Sequence, residues 1–333
     1  MGKHSRGYDT YRGRSGGSRV LKGIALVLGI FLIVSVGAFF FLERYLVYDD
    51  RGGIRLELPS PATPTPVAET PPPVVTIVPT PTPDPRPKQE ELVPVQLDRV
   101  ALYDGTAAAS VTAGGGNAAM FSMKEDSGTL GWVSDLPLAI AAKASLDDPA
   151  VNIAIRAAVE EEDTLYRIAK ISCFKDHALP THDTALAILT NSGYRWTDPQ
   201  KVRWTSPAGE EVRNYLVGLC LELSALGFDE ILLENSGYPT RGNLHYIRRC
   251  DAYDPEQLET VVSGFYMQIA QALEGTDTRL SVVFDPLQSS LSGQTEAGIR
   301  AAGAVPVLLG EDEIYRWPTA AEAHSAGAQI PDP

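Results

Sequence analysis

Acidic residues follow five short apolar runs in the second part of the chain. The runs, which are typical of β-strands, are Asn117–Lys124, Leu165–Phe174, Phe228–Leu233, Leu280–Phe284 and Val305–Gly310. The acids that come within two residues of their ends are Glu125, Asp126, Asp176, Glu234, Asp285, Glu311 and Asp312. Carboxyl groups held near one another can donate and accept protons in general acid–base chemistry. The spacing therefore predicts a cluster of carboxylates, provided that the strand ends meet.

The elements between these runs predict that the strand ends do meet. Val93–Leu97 is a weaker first strand, and helix-like stretches separate most strands. The stretches are Thr106–Ala113, Asp147–Asp163, Glu210–Leu226, Pro255–Leu273 and Gln294–Ala302. Alternating strands and helices build a parallel sheet, in which all carboxyl ends lie on one side. We therefore predict an α/β fold, a TIM-like (β/α) barrel. Six strands are recognisable where a closed barrel has eight, so the barrel is incomplete or two strands are unrecognised.

Three strings in this region resemble motifs of a known family. They are MKEDSG at Met123–Gly128, FKD at Phe174–Asp176, and GFDEILLEN followed by YP within Gly227–Pro239. Their order and spacing are similar to those of a family of bacterial TIM-barrel proteins, formerly a domain of unknown function, now assigned as glycoside hydrolases. The corresponding family strings are VKDDSG, FKD and GFDEIQFDYVRFP. The resemblance covers roughly residues 93–310 and implies a carbohydrate-active barrel.

Glycoside hydrolysis needs one protonated and one ionised carboxyl group. We predict Glu234 as the general acid, because it ends an apolar strand in which desolvation raises a carboxyl pKa. Asp126 is the predicted partner, and Asp285 is the next candidate. Each also has a structural alternative, because acids after strands often cap turns or helices. The sequence departs from the family pattern at Glu234 (Asp in the family), at Asn235 (Tyr) and at Lys170 (Arg).

Further residues near the strand ends are candidates for substrate binding. Lys124 and Lys175 precede acids, so each either holds an acid ionised or binds sugar hydroxyls. Aromatic side chains in the loops stack on sugar rings or simply pack within the loops. The complete predicted substrate-binding set is Lys124, Lys175, Asp176, Asn235, Tyr238, Trp132 and Trp204.

Charge and motif content narrow the class of ligand. The net charge is −14, and residues 1–22 carry six Lys or Arg against one Asp, so the remainder is still more acidic. Such a body is a poor partner for nucleic acid, whose binding depends on neutralising phosphates. No phosphate-binding or dinucleotide motif is recognisable. His177, His182 and Asp183 lack metal-site spacing, so we predict no cofactor and no metal. The three cysteines read as free thiols, buried at Cys173 and Cys220, or as one disulfide with a leftover thiol.

The first 94 residues predict an anchored chain. Residues 1–22 form a basic cytoplasmic tail, 23–47 a transmembrane helix, and 48–94 a Pro/Thr-rich extracellular linker. Gly23–Leu42 is a run of 20 uncharged residues, roughly 30 Å as a helix, which matches the bilayer core. The basic residues before it predict a cytoplasmic N-terminus. Residues 95–315 form the barrel domain and 316–333 a poorly ordered tail.

These features together predict a single-pass cell-membrane protein whose barrel domain lies outside the cell. Its expected partner is a polysaccharide or cell-wall glycan, which it hydrolyses with two carboxylates. The alternatives are a non-catalytic glycan-binding module on a degenerate barrel, or a membrane-tethered scaffold at the cell wall.

Overall fold

The structure, a computed structural model, describes residues 46–48, 54–56, 91–310, 312 and 314–319. The chain divides into two compact units, Met1–Pro79 and Thr80–Pro333. In the first unit β1 (Leu46–Tyr48) pairs antiparallel with β2 (Ile54–Leu56). The predicted membrane segment Gly23–Leu42, most of the linker and the end of the tail lie outside the described residues. Within the part that is described, no helix is long and apolar enough to span a membrane.

The second unit is built on one seven-stranded sheet. Its neighbours follow chain order, the first six strands are parallel, and the last is antiparallel to the sixth. The strands are β3 (Pro94–Leu97), β4 (Ala118–Lys124), β5 (Tyr166–Ser172), β6 (Glu230–Glu234), β7 (Arg279–Phe284), β8 (Val305–Leu309) and β9 (Tyr315–Arg316). The sheet curves into a nearly closed α/β barrel. All six predicted parallel strands are confirmed, whereas β9 was not predicted.

Helices fill the connections between the parallel strands. They are α1 (Val100–Tyr103), α2 (Ala107–Ala113), α3 (Pro137–Ala141), α4 (Ala150–Glu161), α5 (Ala178–His182), α6 (Glu210–Ala225), α7 (Leu258–Ala272), α8 (Ser289–Ser292) and α9 (Glu296–Ala301). The five predicted helices correspond to α2, α4, α6, α7 and α9. The four others are only four or five residues long, too short to show a helical period.

The two faces of the sheet bury different side chains. The outer face packs against the helices, and α6 contributes Val212, Leu216, Leu219 and Leu223 to this core. The inner face forms a second, smaller core that includes Met120, Tyr166, Ile168, Leu232 and Val307. Since side chains alternate along a strand, every second residue of β5 and β6 faces the barrel interior. This alternation determines which strand-end residues reach the site.

Side chains of β9 and of the residue that follows it reach β6 across the barrel interior. Trp317, directly after β9, is buried and donates from Nε1 to Glu230 Oε1 at 2.7 Å. Glu230 is itself fully buried and accepts a second hydrogen bond, from Tyr166 Oη at 2.8 Å. Glu230 therefore has a structural role at the amino-terminal end of β6, as its position at the start of the strand predicts.

The cysteines agree with the free-thiol prediction. Cys173 and Cys220 are buried and unpaired, and Cys250 is exposed and unpaired.

Candidate active site

The candidate site lies at the carboxyl ends of β5 and β6, inside the rim of the barrel. The register pairs Ser172 of β5 with Glu234 of β6, and Lys170 with Leu232. Because paired residues in neighbouring strands point to the same face, Lys170, Ser172 and Glu234 all face the interior. Glu234 retains 23% of its side-chain exposure, so a ligand at the rim can reach it.

Glu234 is held by two side chains from different strands. Its Oε1 accepts a hydrogen bond from Tyr315 Oη at 2.7 Å, and its Oε2 lies 3.5 Å from Lys170 Nζ. Lys170 also donates to Tyr315 Oη at 3.1 Å. The surroundings of this carboxyl are thus polar donors, not the apolar pocket predicted from the ILLE strand. The apolar residues of β6 point alternately into the outer and the inner core. Glu234, the last residue of the strand, lies among polar neighbours instead.

Asp126 follows β4 and accepts from three donors, two of which, Ser172 and Asn235, are the register partner and the sequence neighbour of Glu234. Ser172 Oγ donates to its Oδ1 at 2.7 Å, Asn235 Nδ2 donates to the same atom at 3.2 Å, and Lys175 Nζ is 2.7 Å from its Oδ2. Lys175 and the Asn235 amide nitrogen have only hydrogens to offer. Asp126 therefore accepts on both oxygens, on Oδ1 from Asn235 and on Oδ2 from Lys175.

Lys175 connects Asp126 to the neighbouring loop. Its Nζ also lies 3.3 Å from Asp198, whose side chain is buried. Burial alone would lower the pKa of Lys175, but its hydrogen bond to Asp126 and the negative charges of Asp126 and Asp198 outweigh burial and raise the pKa. Lys175 therefore stays a cation across the neutral range.

Two residues join the Glu234 and Asp126 contacts into one site. Ser172 is the register partner of Glu234 and hydrogen bonds Asp126. Asn235 directly follows Glu234 and has a left-handed backbone, with φ of 49°. Left-handed residues other than glycine are uncommon and cluster at functional sites. This turn directs the Asn235 amide to both Asp126 and Ser172, the latter at 3.0 Å.

Lys124 and Asp176, both predicted to bind substrate, are instead a fully buried ion pair. Their charged atoms are 2.8 Å apart and both side chains are 0% exposed. Lys124 also donates to the Ser172 carbonyl at 2.6 Å, and Asp176 accepts from the Leu179 amide at 2.9 Å. A bulge in β4 between Ser122 and Lys124 accompanies this inward placement of Lys124. The pair supports the site from below and has no surface for a sugar.

The tight fit around this ion pair explains one glycine of the MKEDSG string. Gly128 has φ of +91°, and a Cβ there would lie 2.7 Å from Asp176 Oδ1 and 2.5 Å from Ala178 Cβ. A larger residue would therefore displace the buried carboxylate and, with it, the turn that carries Asp126.

The predicted sugar-stacking aromatics are also placed differently. Trp132, Trp204 and Tyr238 are all buried within the outer core. Trp132 donates to Glu222 at 2.8 Å, and the Tyr238 ring packs edge-on against Tyr253. Their ring faces are covered by protein, so we assign them to the core. Sequence position placed them in loops, but it could not show which way the rings point.

Asp285 is exposed at the end of β7, where it caps a short 3-10 helix, Pro286–Gln288. Its Oδ1 accepts from the Leu287 amide at 2.9 Å. This is the turn role that the Asp-Pro sequence indicates. Of the three predicted catalytic residues, the structure brings together Glu234 and Asp126.

Three residues of the site could hardly be recognised as site residues from the sequence. Lys170 stood out only as the counterpart of a family Arg, and Ser172 gave no signal beyond its alternation with Lys170. Tyr315 belongs to β9, a two-residue strand with too little pattern to recognise. In the part of the chain that the structure describes, no group of three His, Cys, Asp or Glu side chains is placed to hold a metal ion.

Residues 109–296, more than half of the chain, match the family described as "putative glycosyl hydrolase domain". The chain belongs to this family, in agreement with the resemblance of its motifs. It is thus a member of a glycoside hydrolase family with an α/β barrel. A search of curated proteins gave no match.

Solved structures of similar fold include a hypothetical protein from Ruminiclostridium thermocellum. It is 20% identical with a TM-score of 0.48, and the match covers 56% of this chain and 96% of that one. The PgaB glycoside hydrolase domain from Bordetella bronchiseptica is 13% identical with a TM-score of 0.41, covering 66% and 74%. For α-L-fucosidase isoenzyme 2 from Paenibacillus thiaminolyticus the values are 15% and 0.39, covering 56% of this chain but only 32% of the fucosidase.

Proposed function

We propose that this chain is a glycoside hydrolase that cleaves a cell-envelope polysaccharide with Glu234 and Asp126. The observation that carries the proposal is the pairing of these two carboxylates at the barrel rim through Ser172 and Asn235. Family membership supports the class of reaction, and the site supplies the two acids that glycoside hydrolysis requires.

The hydrogen-bond partners suggest how the two roles divide. Two of the three donors to Asp126, the Lys175 ammonium and the Asn235 amide nitrogen, cannot accept a hydrogen bond, so we assign Asp126 as the ionised partner that assists the nucleophile or acts as one. The Tyr315 hydroxyl beside Glu234 can either donate or accept. It can therefore stay hydrogen bonded whether Glu234 carries a proton or not. Glu234 is accordingly the proposed general acid, which protonates the leaving glycosidic oxygen.

Hydrolysis by the full chain tests this proposal. We expect release of reducing ends from at least one polysaccharide in a panel of envelope glycans. Glu234→Gln and Asp126→Asn should each lower the rate by about 100- to 10,000-fold, the range for removal of a general acid or base.

The matched controls are carboxylates outside the site. Glu125 is the neighbour of Asp126 but pairs with Arg99 at 3.2 Å, and Glu296 pairs with Arg300 on α9. Glu125→Gln and Glu296→Gln should keep nearly full activity. If no glycan is cleaved, or if Glu234→Gln cleaves as fast as the native chain, the hydrolase proposal is wrong.

A glycan-binding module without catalysis is the second candidate. The observation favouring it is that Glu234 has a cation 3.5 Å away and Asp126 has three donors, which resembles a settled network as much as a reactive one. Binding of a glycan that no variant cleaves, lost on changing rim residues, would support this alternative.

We also propose that the domain is tethered outside the cell by the apolar segment Gly23–Leu42. The sequence supports this through the length of the segment, the basic residues before it and the proline-rich linker after it. An outward-facing tether would place the barrel against envelope polysaccharides.

A further inference from the structure

Two segments of the loops beside the site carry an excess of positive charge. They are residues 187–209 of the loop after β5 and residues 235–250 of the loop after β6, and Asp198 is their one acidic residue. Asp176 and Asp183 precede the first segment, and Asp251, Asp254 and Glu256 follow the second. Their cations, which we call the basic rim, are Arg195, Lys201, Arg203, Arg241, Arg248 and Arg249. A net charge of −14 for the chain makes this local reversal of sign conspicuous. The single acid is already buried against Lys175.

The basic rim lacks internal neutralisation. None of its six cations forms an ion pair with a described residue. Arg195 Nε is shielded from solvent and has no hydrogen-bond partner within the described part of the chain. The charges of these cations would be neutralised by the carboxylate or phosphate groups of an anionic ligand.

The two loops form one layer, which concentrates these charges. Leu189 pairs with Arg195 on one side, and its carbonyl accepts from the Arg248 amide at 2.8 Å on the other. With neighbouring strands about 4.8 Å apart, the backbones of the two arginines are about 10 Å apart. At this separation, slightly above the screening length of about 8 Å in physiological salt, the two charges are largely screened from each other. The short distance lets one anionic polymer contact both arginines.

Exposed aromatic rings lie within the same layer. Tyr194 is 75% exposed and Tyr246 is 53% exposed. Their carbonyls accept from the consecutive amides of Thr190 and Asn191, at 2.7 and 2.8 Å. These rings, unlike the buried tryptophans, offer flat apolar faces with a polar tip. Rings interleaved with guanidinium groups suit a ligand that has both sugar faces and negative charges.

The layer continues directly into the candidate active site. Lys175 bridges Asp126 and Asp198, and the Arg203 carbonyl accepts from the Asp176 amide at 3.1 Å. The Arg203 side chain contacts His177, whose amide donates to the Asp126 carbonyl at 2.9 Å. A ligand on the basic rim would thus extend toward Asp126 and Glu234.

We propose that the basic rim binds the anionic groups, carboxylate or phosphate, of an acidic polysaccharide and guides that chain to the Glu234–Asp126 site. This inference rests on the proposed function and specifies its substrate class. Guanidinium groups pair with carboxylates and phosphates in a bidentate geometry. Outside residues 1–22 the chain is acidic overall, so binding of such a polymer is disfavoured elsewhere on the barrel domain and favoured at the rim.

Binding by the full chain, measured by calorimetry, tests the proposal. The probes are polygalacturonate, its neutral methyl ester, and a phosphomannan to distinguish carboxylate from phosphate. We expect one or both anionic glycans to bind, with affinity falling as salt increases, and the methyl ester to bind at least tenfold more weakly. Equal binding of the methyl ester, or binding of neither anionic glycan, would overturn the proposal.

Substitutions test whether anionic glycans bind to the basic rim or to positive charges elsewhere on the chain. Arg248→Gln with Arg249→Gln should weaken anionic-glycan binding by roughly three- to tenfold, and Tyr246→Ala by about threefold. Arg300→Gln removes a cation from α9 and should change nothing. A single-stranded DNA oligonucleotide that binds as tightly as the glycans, with no loss in Tyr246→Ala, would show nonspecific polyanion binding and overturn the proposal.

Failure of the basic-rim proposal can be distinguished from failure of the hydrolase proposal. Anionic glycans that bind the rim but are not cleaved would contradict the hydrolase and leave the rim assignment intact. Hydrolysis of a neutral envelope glycan by a chain that does not bind anionic glycans would support the hydrolase proposal and overturn the basic-rim proposal.

Discussion

At the scale of single residues, Asn235 combines a backbone task with a side-chain task that substitutions can separate. Its left-handed backbone suits glycine as well as asparagine, whereas alanine is strained there. Its amide holds Asp126 and Ser172. We expect Asn235→Gly and Asn235→Ala to lose similar hydrolytic activity, with the alanine variant less stable by about 1 kcal/mol. Denaturant unfolding checks this difference, and equal stability of the two variants would contradict it.

The cysteines give a second prediction at this scale, because thiolate formation controls their reactivity. Burial raises the pKa of Cys173 well above its usual value and that of Cys220 to about 12, so both remain thiols at pH 8. Cys250 is exposed. One thiol per native chain should react with Ellman's reagent at pH 8, and all three after denaturation. Cys250→Ser should abolish the native reaction; any remaining reaction would mean that a buried thiol becomes accessible.

Individual site residues were predictable where backbone direction alone determines their position. Asp126 and Glu234 follow parallel strands, and parallel strands present their carboxyl ends on one rim. The direction of a side chain beyond that end depends on local turns, so Lys124 and Asp176 turned inward to pair with each other. The tryptophans show the same limit, since a loop position does not reveal which neighbours cover the ring.

At the scale of elements, β9 extends the sheet beyond its six parallel strands. Its six predecessors were recognisable because each is a run of apolar residues between helix-like segments. β9 is two residues long and derives its position from contacts made on the opposite side of the barrel, which no local pattern encodes. Through Tyr315 it supplies a hydroxyl to Glu234, so the strand at the end of the sheet also contributes to the site.

The hydrogen bond from Trp317 to Glu230 should fix β9 in place. Trp317→Phe keeps most of the ring but leaves one oxygen of a fully buried carboxylate without its donor. We expect a loss of about 1.5–3 kcal/mol in the free energy of unfolding, typical of hydrogen bonds to charged groups. The control is Arg316→Gln, which removes an exposed pair with Asp312 and should cost under about 1 kcal/mol. Equal effects of the two variants on thermal unfolding would mean that the buried bond is not what secures β9.

At the scale of the whole molecule, the sign of the charge differs between the chain as a whole and two of its regions. The N-terminal tail is basic, the chain as a whole carries −14, and the basic rim reverses the sign beside the site. Composition revealed the first two but not the third. The cations of the rim come from two loops separated by a helix and a strand, and only folding brings them into one layer. The negative net charge thus argues against polyanion binding over the whole surface. The basic rim is the one place where we expect an acidic polymer to bind.

The apolar segment Gly23–Leu42 predicts how the chain is placed relative to the membrane. The full chain should sediment with membranes, and protease added to intact cells should remove the barrel domain, because basic residues before the segment keep the N-terminus inside. Leu32→Arg with Val34→Arg should release the chain, since each charge at the helix centre costs about 2.5–3.5 kcal/mol. Thr63→Arg with Thr65→Arg adds the same charge to the linker and should leave the chain in the membrane fraction. Sedimentation of the Leu32/Val34 variant with membranes, or protection of the domain in intact cells, would contradict the predicted tether.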